Sequence, residues 1–79
     1  QVSMEKNKEK EFENFRKEIF GLRKANKWTQ KQVADALGIT AQSYQAYEAG
    51  EALPTLLNFV KLAKLFEISP DELLGWDEF

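Results

Sequence analysis

The stretch W-T-Q-K-Q-V-A-D-A-L-G-I-T, residues 28–40, constrains the fold more than any other part of the chain. Thr29 is a good helix N-cap, because its hydroxyl accepts a backbone N–H that a first turn leaves unpaired. Gln32, three positions on, completes a capping box, and Trp28 and Val33 have the spacing of a hydrophobic staple across the cap. Gly38 ends the helix, since glycine adopts the left-handed conformation there at least cost. Only Ile39 then separates Gly38 from the next N-cap, Thr40. Two short helices joined this tightly form a helix-turn-helix. Ala34 falls at their crossing, where a larger side chain would push them apart. By periodicity alone, the same pattern also suits a helical hairpin in any small bundle.

The same punctuation organises the rest. Phe12, Phe15, Ile19 and Leu22 fall on one stripe of a first helix expected over 6–26. Gly21 lies off that stripe. The helix after Thr40 carries Tyr44 and Tyr47 on its inner face and closes at Gly50, with Ile39 and Tyr44 repeating the staple spacing. Pro54 and Thr55 open a fourth helix, with Leu56, Phe59, Val60, Ala63 and Phe66 as its expected inner stripe. Ser69-Pro70-Asp71-Glu72 reads as a capping box with proline at the first helical position, starting a short fifth helix that ends at Gly75. The expectation is a compact five-helix, all-α domain over 6–79. Residues 1–5 read as an expression remnant or a frayed end, with Met4 as the candidate native start.

With 79 residues, the chain has room for one small domain. Cysteine and histidine are both absent, which removes disulfides, thiolate nucleophiles, most zinc sites and the usual general base. No Gly-rich phosphate loop or clustered carboxylates stand in for them, so neither an enzyme nor a bound metal or cofactor is expected. Asp71 and Glu72 read as first-turn charges that favour the helix dipole. No apolar run approaches membrane-spanning length, and Glu5, Glu9, Glu11 and Glu13 interrupt the Lys-rich start that a membrane-surface helix would need. A cytoplasmic protein is expected. Net charge is −2, but residues 1–39 carry +3 and residues 40–79 carry −5, so one face can be basic on an acidic protein.

L-R-K-A-N-K-W-T-Q-K-Q-V-A-D-A-L-G-I-T, then Y-Q-A-Y-E-A-G, then P-T-L-L-N-F-V-K-L-A-K-L-F-E-I-S-P-D-E-L-L-G, resembles the lambda-repressor-like helix-turn-helix family of Cro- and XRE-type regulators. The resemblance spans about residues 16–75, with its segments in order and correctly separated. It implies a five-helix domain that binds double-stranded operator DNA, commonly as a homodimer, with the third helix in the major groove. It also implies that Glu48 pairs with Arg23 and bolts the third helix to the first.

By family position, Ala41, Gln42 and Ala46 face the bases, with Gln45 beside them. The third helix carries no Lys or Arg. Glutamine can hold adenine N6 and N7 with two hydrogen bonds, and alanine can pack on a thymine methyl, so sites containing A·T pairs are expected. Thr40 and Ser43 are better placed for phosphate. Gln30 resembles the family's phosphate-binding glutamine at a helix N-terminus that favours anions. Arg23, Lys24, Lys27 and Lys31 lie on the edge that the family lays against the DNA backbone. The loop after the third helix departs from the pattern, with Glu51, Ala52 and Leu53 where many relatives carry a cation.

A second function class also fits. Leu73 reads as a cap on the domain's own core, while Trp76 and Phe79 are candidates for a dimer or partner surface. The chain would then be a protein-interaction module, antitoxin- or antirepressor-like. Plain solvated surface is the alternative for each of the polar candidates and for Ala41 and Ala46, since alanine is also the default helix former, and capping of the domain's own core is the alternative for Trp76 and Phe79.

Overall fold

A computed structural model describes residues 12–79, apart from the side chain of Glu78. The expected terminus 1–5 and the expected opening of the first helix at 6–11 lie outside the described residues. Within them the chain forms α1 (Glu13–Ala25), α2 (Gln30–Leu37), α3 (Ala41–Ala49), α4 (Leu56–Phe66) and α5 (Pro70–Leu74), followed by a 3-10 turn over Trp76–Glu78. None of these helices is long and apolar enough to cross a membrane.

The caps act as their residue types demand. Thr29 Oγ1 accepts from the Gln32 N–H at 3.0 Å, and Gln32 Oε1 accepts from the Thr29 N–H at 2.8 Å, a complete capping box. Thr40, Thr55 and Ser69 each accept the N–H three residues on. At Ser69 the box is only half formed. Its hydroxyl donates to the Glu72 carboxylate at 3.3 Å, in place of the expected bond from its backbone N–H. Lys61 on α4 donates to the Leu37 carbonyl at 3.2 Å, placing a cation against the open carbonyls that end α2.

The core runs from Phe15 and Ile19 on α1 through Val33, Ala34 and Leu37 on α2 and Tyr44 and Tyr47 on α3 to Leu62, Ala63, Phe66 and Leu73. Ala34 is fully buried, as a close crossing of α2 and α3 requires. Trp28 packs as well as staples: its ring stacks on Phe66 with centroids 5.8 Å apart, tying the α1–α2 turn to the end of α4.

The expected inner stripe of α4 needs correction. Its buried residues are Leu62, Ala63 and Phe66, with Phe59 partly buried. Leu56 is 79 % exposed, and Leu57 and Val60 also face outward. Eight of the eleven residues in LLNFVKLAKLF are apolar, so periodicity could not say which side meets the core. The buried side is the one that reaches Phe15 and Trp28.

Gly38 and Gly75 both take left-handed φ, +79° and +77°. A Cβ on Gly38 would meet open space, whereas one on Gly75 would lie 2.6 Å from Asn14 Nδ2 and 3.1 Å from its Cβ. Gly38→Ala therefore carries only the conformational cost of about 1–2 kcal/mol. Gly75→Ala should lose measurably more in urea unfolding, and Asn14→Ala in that background should narrow the gap. Equal losses at the two glycines would refute the crowding at Gly75.

Candidate nucleic-acid interface

The two faces of α3 have opposite character. Tyr44 and Tyr47 point inward, their rings edge-to-face at 6.1 Å. Ala41, Gln42, Ser43 and Gln45 are exposed and Ala46 is half-buried. The helix carries one charged residue, Glu48, and its side chain is 6 % exposed. The outward face of α3 therefore presents amides, methyls and a hydroxyl without charge.

Glu48 is held by Arg23 as the resemblance implied. Arg23 Nε donates to Oε2 at 2.6 Å and Nη2 to Oε1 at 3.0 Å, a bidentate pair between α3 and α1. Arg23 Nη1 also donates to the Trp28 carbonyl at 3.0 Å, closing the α1–α2 turn. Burial alone would raise the Glu48 pKa. Hydrogen bonds from Arg23 and Gln30, with the Tyr44 hydroxyl close by, outweigh it and hold the carboxyl below its ordinary value. The same pairing raises the Arg23 pKa. Burial, then the neighbouring carboxylate, raises the Tyr44 pKa so that the phenol stays protonated. The Tyr44 hydroxyl faces this pair yet lacks a partner at good hydrogen-bond geometry.

Arg23 was expected both in this pair and at the DNA backbone. Its side chain is 10 % exposed and its donors turn inward, so a direct phosphate contact has little of the guanidinium to use. Lys24, Lys27 and Lys31 are exposed around the same α1–α2 corner. Lys31 forms an exposed ion pair with Asp35 at 3.2 Å, a bond weak enough in water to yield to a stronger anion. Lys27 takes left-handed φ, +59°, just past the end of α1, where glycine would be cheaper. Sequence gave no sign of this, because the usual glycine is missing. Gln30 is half-buried, and its Nε2 donates to Glu48 Oε1 at 3.0 Å; sequence reasoning missed that bond. Thr40 Oγ1 accepts from the Ser43 N–H and donates to Ser43 Oγ at 2.9 Å, which leaves the Ser43 hydroxyl proton free to donate outward.

Trp76 is 65 % exposed, while Phe79 packs edge-to-face on Phe12 at 5.6 Å and keeps half of its surface in solvent. Leu53, Leu56, Leu57 and Val60 make a further exposed apolar area that the sequence reading had partly assigned to the core.

A helix-turn-helix family model matches residues 21–73, and the chain belongs to that family, the Cro/C1- and XRE-type regulators. Among its relatives, the cryptic phage CTXphi transcriptional repressor RstR of Vibrio cholerae is 57 % identical over 53 residues, covering 67 % of this chain and 47 % of that one. The uncharacterized HTH-type transcriptional regulator YobD of Bacillus subtilis is 46 % identical over 54 residues, 68 % of this chain and 48 % of its own. The HTH-type transcriptional regulator AnsR of the same organism is 44 % identical over 54 residues, 68 % and 47 % respectively. The chain thus matches about half the length of these curated relatives. No solved structure matches it.

The depressed Glu48 pKa fixes the sign of an acid effect. The stability it contributes is complete above the ordinary carboxylate value of 4.5 and is lost as pH falls through the lower folded value. Arg23→Ala strands the carboxylate and should cost about 3–5 kcal/mol at neutral pH. Replacing both partners, Arg23→Met with Glu48→Met, should cost far less and remove part of the acid sensitivity. Urea unfolding of the three proteins between pH 7 and pH 3 checks this; an Arg23→Ala protein as stable as the double variant would contradict it.

Proposed function

We propose that this chain is a sequence-specific double-stranded DNA-binding transcriptional regulator, of phage or prophage repressor type, acting in the cytoplasm as a homodimer. α3 lies in the major groove, where Gln42 and Gln45 hydrogen-bond base edges and Ala41 and Ala46 pack on thymine methyls. The observation that carries this reading is the uncharged outward face of α3, whose one carboxylate is neutralised inside by Arg23. Base-reading amides can approach a polyanion there without a repelling charge on the same helix. The family membership and the repressor among the relatives support it.

Affinity comes from phosphates. Lys24, Lys27 and Lys31 supply the cations, Ser43 and Gln30 supply neutral donors, and Thr40 acts through the Ser43 hydroxyl it orients. Glu51, exposed in the loop after α3, opposes phosphate approach and keeps the affinity of one copy low. Two copies on two half-sites offset this, with Trp76 and Phe79 as the candidate dimer surface.

Selection of duplexes from a random pool at fixed salt tests the reading. Sites containing A·T pairs should emerge, and Gln42→Ala should lose about 1–3 kcal/mol of discrimination at one base pair while leaving random DNA unaffected. Lys27→Gly should weaken all duplexes alike and yet raise unfolding stability by about 1 kcal/mol, because it relieves the left-handed lysine. If both variants act equally on selected and random DNA, readout by Gln42 is wrong. An antitoxin- or antirepressor-like module would instead keep its partner when Lys27 and Lys31 are both replaced.

A further inference from the structure

Glu48 does more than pair with Arg23. Its Oε1 accepts from two helices at once, from Arg23 Nη2 on α1 and from Gln30 Nε2 on α2, each at 3.0 Å. Ionised, a carboxylate only accepts hydrogen bonds, and the lowered pKa keeps this one ionised. It therefore fixes which end of the Gln30 amide points inward: the nitrogen faces Glu48. A phosphate oxygen is also acceptor-only, so of Gln30's side-chain atoms only the second N–H on that nitrogen can serve it. Without Glu48 the amide could turn its oxygen toward the DNA and repel it.

We infer that Glu48 is a positioning residue for DNA binding: it holds the Gln30 amide nitrogen as a bridge, one N–H on the Glu48 carboxylate and the other on a DNA phosphate. This rests on the DNA-binding reading above. Arg23 completes the device. Its guanidinium neutralises Glu48, so a phosphate can approach the far side of the amide without facing a bare carboxylate. Arg23 thereby promotes the backbone contact without touching it. Because Glu48 stands on α3, the bridge couples a phosphate grip by α2 to the pose of the helix that reads bases, and a shift of α3 would loosen both together.

Removing either member of the ion pair alone endangers the fold, so the test uses the balanced Arg23→Met, Glu48→Met replacement. Kd is measured at fixed salt for the wild type, Gln30→Ala, the double-Met protein and the triple variant, on the tightest duplex from the random-pool selection. Single methylphosphonates placed along its backbone locate the phosphate. Gln30→Ala should weaken the wild type about tenfold, the scale of a hydrogen bond to a charged group, and should abolish sensitivity at one methylphosphonate position. In the double-Met background, the same change should cost less than about threefold, and that position should already be insensitive. Equal Gln30→Ala effects in both backgrounds, with wild-type binding intact, would overturn the bridge alone. A wild type that binds no duplex at low salt would overturn the DNA reading and the bridge with it. A double-Met protein that fails to fold moves the comparison to Glu48→Gln, which keeps the shape but can either accept from the Gln30 amide nitrogen or donate to its oxygen, so that it no longer fixes which end faces the DNA. The same loss of coupling is then expected, and its absence refutes the bridge.

Discussion

The bidentate pair between Arg23 and Glu48 is the constraint on which the arrangement depends. It joins α3 to α1 through two bonds of 2.6 and 3.0 Å, and the same guanidinium holds the Trp28 carbonyl in the α1–α2 turn. Desolvating two charges is expensive, and such pairs often add little net stability over apolar residues of the same shape. What this one adds is definition. A carboxylate with Arg23 and Gln30 on it permits few poses of α3, and the pose it permits turns Tyr44 and Tyr47 inward and Gln42 and Gln45 outward. The pair also suits the proposed DNA contact, since an unpaired Glu48 would leave a negative charge on the helix proposed to enter the groove.

Much of the fold was legible because it is written in local chemistry. Thr29, Thr40 and Ser69 cap the helices they were expected to cap, Thr55 caps the helix it was expected to open with Pro54, and Gly38, Gly50 and Gly75 all take left-handed φ. These signals need only a few neighbouring residues. The inner face of α4 was misjudged because that helix is apolar nearly all round, and only tertiary contact decides which side is buried. The left-handed Lys27 and Glu67 were invisible for the opposite reason: each ends a helix in a conformation its side chain does not advertise.

The site was legible in a different way. The exposure of Gln42 and Gln45 follows from the inward tyrosines, so periodicity sufficed. The Arg23–Glu48 pair spans 25 positions and came from family resemblance, which no local rule replaces. The bond from Gln30 to Glu48 spans 18 positions and came from neither. It exists because the α2–α3 turn folds the start of one helix against the far end of the next, and that is a property of the assembled pair of helices.

The most direct test of the account is where DNA touches the protein. Two-dimensional NMR of the 15N-labelled chain, titrated with a selected duplex at low salt, follows every backbone amide and the glutamine side-chain amides separately. Shifts concentrated at Gln42, Gln45, Ser43 and the Lys24–Lys31 corner, with the Leu56–Val60 face unmoved, are the predicted result. Shifts centred on Leu56, Leu57 and Val60, with the Gln42 and Gln45 side chains undisturbed, would mean that the outward face of α3 is not the surface through which this protein acts.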